Sequence, residues 1–176
     1  MEKKKKVVIV AWLLVLLMST SIYAFEDRKL YSMGVEAASA GKKDLAFIHF
    51  DSLVRKFPNS KLSEYALFAI GEYYYAVADL RDSDKIFNEF IKSYPDSKAK
   101  IFALAYLLEM AKSANKKSQV KEIEKEIMGL KRTSFLFKTF KSYKYTSALR
   151  VRHKVLYSAD KIEFFIDGKL FTTLSY

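Results

Sequence analysis

Side chains that carry out covalent chemistry are few in this sequence, and they are scattered. His49 and His153 fall in different segments, and His49 stands beside Asp51 on what reads as a helix surface. There is no cysteine, so disulfides, thiolate metal sites and lipid attachment through a cysteine sulfur are all excluded. Gly34, Gly41, Gly71, Gly129 and Gly168 never cluster, so no glycine-rich loop is available to cradle a phosphate. Metal-ligand spacings and a nucleophile elbow are absent as well. Glu122, Glu124 and Glu126 alternate with Lys121, Ile123 and Lys125, as on a solvated helix face. The expectation is a protein that is not an enzyme and uses neither cofactor nor metal.

Binding is the chemistry that remains, and one candidate lies near the C-terminus. There Phe135, Phe137, Phe140, Tyr143 and Tyr145 are interleaved with Lys138, Lys141, Lys144, Arg150, Arg152 and Lys154. Aromatic and basic residues together suit nucleic acid, but also anionic lipid headgroups or another polyanion of the cell envelope. The plainer alternative is a small β appendage whose cations are simply solvated. Lys161–Ile166 and Lys169–Leu174 are rich in β-branched and aromatic residues and flank Asp167-Gly168, a strong hairpin signal. A short strand is expected over 148–157, followed by this hairpin. A sheet so small is marginal alone, so it must pack on the rest of the chain or join a partner's sheet.

The elements that position such groups come from a duplication. Phe50, Leu53, Val54 and Phe57-Pro58-Asn59-Ser60-Lys61 recur as Phe87, Phe90, Ile91 and Tyr94-Pro95-Asp96-Ser97-Lys98, always 37 residues on. Self-similarity at this period marks stacked supersecondary units. Pro58 and Pro95 bar a helical conformation at the preceding residue and end a helix there, while Ser60 and Ser97 can cap the next. Gly34 and Gly71 would let two helices approach closely at a cost of about 1 kcal/mol each in helix propensity. A third pair, carrying Ala103, Leu104, Leu107, Leu108 and Ala111 and then Val120, Ile123, Ile127 and Leu130, lacks the glycine, aromatic and proline. It reads as the terminal unit that repeat stacks require.

With Leu30, Met33-Gly34, Ala37, Ala46, Phe50 and Pro58 in one copy and Leu67, Ile70-Gly71, Tyr74, Ser83, Phe87 and Pro95 in the next, the unit resembles the tetratricopeptide repeat. The Pro-Asn-Ser and Pro-Asp-Ser corners, with Gly71-Glu72-Tyr73-Tyr74-Tyr75 between them, resemble an envelope group over residues 27–114. That group includes the BamD-like outer-membrane assembly factors and the periplasmic coordinator associated with Tol-Pal. Two departures stand out: BamD-like proteins are lipoproteins, and no cysteine is present here; the Tol-Pal-associated proteins usually carry an N-terminal coiled coil, and here the repeats begin almost at the leader.

The resemblance implies a mainly α fold, an α-solenoid of about three helix pairs, to which the residues around Asp167-Gly168 add a small C-terminal β-hairpin appendage. In such stacks the first helix of each pair lines a concave groove. Helical spacing then puts Tyr31 and Val35, Tyr65, Phe68, Glu72 and Tyr75, and Tyr106 and Glu109 along that groove. Aromatics with a few carboxylates suit a peptide or helix from a protein partner. Packing against neighbouring repeats or the C-terminal segment is the competing role for each of them.

Lys3–Lys6, an apolar run from Val7 to Met18 and the small residue Ala24 form the three parts of a secretory signal. Twelve apolar residues are short of the roughly 20 that span a bilayer. Cleavage is expected after Ala24; an uncleaved inner-membrane anchor is the alternative. Of the formal charge of +11, residues 1–24 hold +3 and residues 131–176 hold +7, leaving a nearly neutral body. The expected organisation is a signal peptide (1–24), helical repeats (25–130) and a basic aromatic segment with a β-hairpin (131–176). The functional expectation is a periplasmic scaffold binding envelope proteins during outer-membrane protein assembly, with no nucleic-acid partner and peripheral membrane contact as the alternative role.

Overall fold

The computed structural model describes residues 25–134, 141–158 and 160–175. The leader, residues 1–24, and Lys138 lie outside the described residues, and Lys141 enters through its backbone alone. Six helices come first: α1 (25–39), α2 (Lys43–Lys56), α3 (Lys61–Ala76), α4 (Leu80–Ser93), α5 (Lys100–Ser113) and α6 (Lys117–Ser134). Four strands follow: β1 (Lys141–Thr146), β2 (Arg152–Tyr157), β3 (Lys161–Ile166) and β4 (Lys169–Ser175), an antiparallel sheet in that spatial order. The fold is mainly α, with a C-terminal β appendage larger than a single hairpin.

The 37-residue period runs through all three helix pairs, including the one with no signposts. Leu53, Phe90 and Ile127 occupy equivalent positions on the second helices and are all fully buried. Gly41, Ala78 and Asn115 occupy equivalent positions in the turns inside each pair, with φ of +74°, +61° and +54°. One residue later, the backbone N–H of Lys42, Asp79 and Lys116 donates to the carbonyl of Ala37, Tyr74 and Ala111, each at 2.9 Å. This is the left-handed helix terminus for which glycine and asparagine are suited; Ala78 adopts it against a steric cost of about 1–2 kcal/mol. The corners between pairs are equally regular. Ser60 donates to Asp27 and Ser97 to Glu64, both at 2.6 Å, while each serine oxygen accepts a backbone N–H two residues on.

Helix spacing within a pair is set by a small residue facing a large one. A methyl group at Gly71 would meet the Phe87 ring at 2.8 Å, and one at Gly34 would overlap the ring of Phe50. Both phenylalanines are fully buried. In the third pair Leu108 stands where the glycine would be and Glu124 where the phenylalanine would be. The bulk has moved to the first helix. Ser83, where the first unit has Ala46, is buried and satisfied by donating to the carbonyl of Gly71 at 3.1 Å.

Helix α5 is buried on nearly every side, from Ile101 to Leu108 and on to Met110 and Ala111. An apolar surface all round a helix requires cover all round. Helices α4 and α6 cover two sides and the sheet covers a third.

The sheet turns one face to the helices in strict alternation: His153 and Val155, Ile162 and Phe164, Thr172 and Leu174 are buried. Strand β1 precedes the region where a strand was expected, and the strand expected over 148–157 begins only at Arg152. Residues 147–150 form a turn instead, with Arg150 at φ +66°. The apolar pair that made this stretch look like a strand, Ala148 and Leu149, is buried against α1–α3 in the core of the first pair. The Asp167-Gly168 hairpin forms as expected, both residues at positive φ.

Substituting Gly71→Ala should destabilise the protein by about 1–3 kcal/mol in urea unfolding, because the Phe87 ring has nowhere to retreat. Gly129→Ala in α6, where an added methyl meets nothing within 4 Å, should instead stabilise by up to about 1 kcal/mol. Equal effects at the two sites would contradict the small-against-large account.

Candidate partner-binding cleft

Helices α1, α3 and α5 present one row of side chains on the concave side of the stack, and the sheet lies across most of it. Phe68 packs edge-on against Tyr145 and His153, with ring centroids at 5.5 and 5.6 Å. Phe102 stacks with Tyr143 and Tyr145. Phe171 reaches Tyr75 and Tyr106 at 5.7 and 5.1 Å. It does so because the β3–β4 register slips at Phe164/Phe165: Phe164 pairs with Thr172 and Phe165 with Leu170, leaving Phe171 as the extra residue of a bulge.

Of the eight residues expected along the groove, Phe68, Glu72 and Tyr106 are therefore buried, between 0 and 4 % exposed. A partner outside the chain does not reach them; the chain's own sheet does. Tyr31, Val35, Tyr75 and Glu109 are half-buried, and Tyr65 is exposed. Among the expected basic residues, Lys144, Arg150 and Arg152 are exposed and Lys154 is half-buried, all on the sheet or its first turn.

At the centre of the contact lies a polar pair that sequence reasoning missed. His153 Nε2 and Glu72 Oε1 are 2.6 Å apart, and their side chains are 1 % and 2 % exposed. The Tyr106 hydroxyl donates to the same Glu72 oxygen over a longer 3.5 Å. Glu72 Oε2 has no hydrogen-bond partner among the described residues. The gap between His153 and the surrounding Phe102, Phe164 and Phe171 is too small to admit water. Closed to solvent, the pair holds the sheet on α3. No sequence signal marked it: of the positions equivalent to Glu72, Val35 is apolar and Glu109 is a carboxylate, so the repeat does not set Glu72 apart.

What stays open is a cleft at the corner edge of the stack. Two adjoining cavities of about 660 and 590 Å³ share Glu64, Tyr65, Ser93 and Tyr94. Each falls within the 300–1,000 Å³ or so typical of ligand pockets. The first extends over Val54, Pro58 and Leu67, the second over Pro95, Ser97 and Tyr145. The two repeated corners thus form its ends, braced by the Ser60–Asp27 and Ser97–Glu64 hydrogen bonds. Burial, then the nearby Glu64 and Glu89 carboxylates, push the Tyr94 hydroxyl above its ordinary pKa. The cleft therefore offers apolar ring surface with a rim of mixed charge, Glu64, Glu89 and Asp96 beside Lys61 and Lys98. Tyr94 and Glu89 were not among the expected site residues; Tyr94 stands in the repeated corner motif, where its role reads as structural.

Paired helices at a fixed period, an aromatic inner row and a cleft between equivalent corners define a helical-repeat protein of the tetratricopeptide type. The chain matches the family described as YfiO, outer membrane lipoprotein, over residues 24–158, and it belongs to that family. Comparison with individually curated proteins gives no match. The matched stretch takes in all six helices, β1 and β2, and ends before β3. Membership associates the chain with the cell envelope and with the BamD-like proteins it resembles. Among the described residues no helix is long and apolar enough to cross a membrane.

Two outcomes test the buried contact. Either Glu72→Ala or His153→Ala should cost about 3–5 kcal/mol in chemical denaturation, because each strands its partner in the core. Replacing both with leucine should cost much less than the two single changes added together. The second outcome is alkaline. Burial first, and the Glu72 carboxylate next, hold the Tyr106 and Tyr145 hydroxyls well above their ordinary pKa near 10. The folded state keeps these protons at a pH where the unfolded chain has lost them. Stability should therefore be intact below about pH 10 and fall as pH rises above it. Tyr145→Phe should make that fall shallower, read by denaturation midpoints across the alkaline range.

Proposed function

We propose that this chain is a non-catalytic periplasmic scaffold that holds an extended segment of an envelope protein during outer-membrane protein assembly. The observation that carries this reading is the open cleft between the Ser60 and Ser97 corners, with Tyr65 and Tyr94 presented above a rim that holds both carboxylates and lysines. Tyrosine supplies large contact area for little conformational entropy, since two torsions fix it, and aromatic residues dominate interface hot spots. Glu64 and Glu89 with Lys61 and Lys98 favour a segment that carries charged side chains of both signs beside apolar ones. Family membership supports the envelope setting. The basic and apolar leader supports export, with cleavage after Ala24 leaving a mature chain that starts close to α1. Tyr31, Val35, Tyr75 and Glu109 do not line this cleft.

Photo-crosslinking from position 65 in intact cells should capture envelope proteins that crosslinking from Ile48, on the exposed face of α2, does not. Tyr65→Ala with Tyr94→Ala should weaken binding of a captured partner by about a thousandfold, from about 2 kcal/mol at each of the two hot spots. Binding unchanged by this pair would overturn the assignment of the cleft. Phe68→Ala is unsuitable as a probe, because it empties the core beneath the sheet.

A further inference from the structure

The outer face of the sheet carries a row that the inner contacts do not explain. Strand register aligns Lys144, Lys154, Phe165 and Leu170 directly across β1, β2, β3 and β4. All four point away from the helices, since their neighbours His153, Val155 and Phe164 are the buried ones. Lys144 and Lys154 are directly opposed, an arrangement that costs a sheet stability. Among the described residues neither has a carboxylate partner. Lysine on an edge strand guards against strand-to-strand aggregation, which accounts for Lys144 on β1. It does not account for Lys154, because β2 is an interior strand hydrogen-bonded on both sides.

The other half of the row is apolar and exposed to an unusual degree. Leu170 is 57 % exposed at the tip of the hairpin, beside half-buried Phe165. The Lys154 ammonium lies 5.6 Å from the centroid of the Phe165 ring, so cation and apolar surface form one continuous patch. Arg152 and Lys169 flank it, both exposed. Arg152 is engaged by Asp167 at 3.2 Å, whereas Lys144 and Lys154 have no ion pair among the described residues.

We infer that this face is a docking surface for an anionic lipid bilayer, with Lys144 and Lys154 against headgroup phosphates and Phe165 and Leu170 entering the interface. Charge complementarity favours an anionic surface, since each lysine near such a surface contributes about 1 kcal/mol. The apolar half distinguishes a bilayer from a soluble polyanion, which offers nothing for Leu170 to enter. The family is described as a lipoprotein family, yet none of the 176 residues is a cysteine that could carry a thioether-linked lipid. The sheet face supplies a membrane contact that needs no such thiol. It lies apart from the tyrosine cleft, so the two surfaces can fail independently.

Because the chain has no cysteine, Leu170→Cys in the full chain gives a single labelling site for an environment-sensitive fluorophore. Phosphatidylglycerol-containing vesicles should shift its emission to the blue, with an affinity that falls as salt is added, and phosphatidylcholine vesicles should not. Lys144→Ala with Lys154→Ala should weaken the probe response roughly thirtyfold, from the loss of two near-surface charges. Lys154→Glu, which sets a carboxylate opposite Lys144 and also removes two units of positive charge, should weaken it to a similar extent while raising the melting temperature. That opposite movement separates a surface role from a structural one. A probe silent on phosphatidylglycerol vesicles, a response indifferent to the lysine substitutions, or a response to heparin alone would each overturn the inference.

Discussion

Helices α3 and α5 each have a side that no other helix can cover, and the way that side is covered governs the rest of this structure. In a stack of helix pairs the inner helices face the concave surface, where solvent or a partner normally meets them. Here the inner residues are Phe68, Phe102 and Tyr106, far more apolar than a wet surface sustains. The four-stranded sheet supplies the cover, and its own need matches: with one apolar face it is not stable alone. Neither half is complete without the other. One core cluster accordingly runs from Phe87 and Phe90 through α5 to Val155, Phe164 and Leu174.

This mutual cover explains several features that look unrelated. The bulge at Phe164/Phe165 turns Phe171 toward Tyr75 and Tyr106, filling the space that a flat strand would leave above α3. Lys112, at the end of α5, donates to the Thr173 carbonyl at 2.6 Å and fastens the far edge of the sheet. Its equivalent one unit earlier is Tyr75, which meets the same strand through a ring contact instead. The turn between β1 and β2 reaches the first pair with Ala148 and Leu149. The sheet thus bridges units that otherwise touch only their immediate neighbours, a tie that weakens the one-dimensional character of repeat stacks.

The helical half of the fold was legible because its determinants are local and repeated. Gly34 with Phe50, Gly71 with Phe87, and the Pro-x-Ser corners each state a requirement that short stretches of chain satisfy, and recurrence at one period separates them from chance. The hairpin at Asp167-Gly168 was legible for the same reason. The burial of Phe68, Glu72 and Tyr106 was not legible, because it depends on residues about eighty positions away. Nothing near Glu72 announces His153, and nothing near His153 announces Glu72. Strand β1 was hidden differently: its alternation of Tyr143 and Tyr145 with Lys144 has period two, but the surrounding run of aromatic and basic residues reads equally well as a binding segment. Its tyrosines turned out to face Phe102, and its lysine to face outward.

The family match ends between β2 and β3, and this boundary cuts the sheet into parts with different duties. The matched half supplies His153 and Tyr145, which contact α3, and contributes Lys144 and Lys154 to the outer face. The remaining half supplies Phe164 and Leu174 to the core, Phe171 to the bulge, and Phe165 and Leu170 to the outer face. Strands β1 and β2 alone would place the histidine on Glu72 but leave α5 open beside Tyr106 and Lys112, which meet Phe171 and Thr173 of β4. The hairpin closes that opening and, by the alternation of a strand, must also present a second set of side chains to the outside. Covering an apolar helix with a sheet therefore creates a new surface as a geometric consequence, and the composition of that surface is free of the constraints that fix the inner face. That freedom is why the Lys144–Lys154 opposition is informative: on a face where solvated polar residues of any kind would serve, two like charges beside an exposed leucine are the least expected choice.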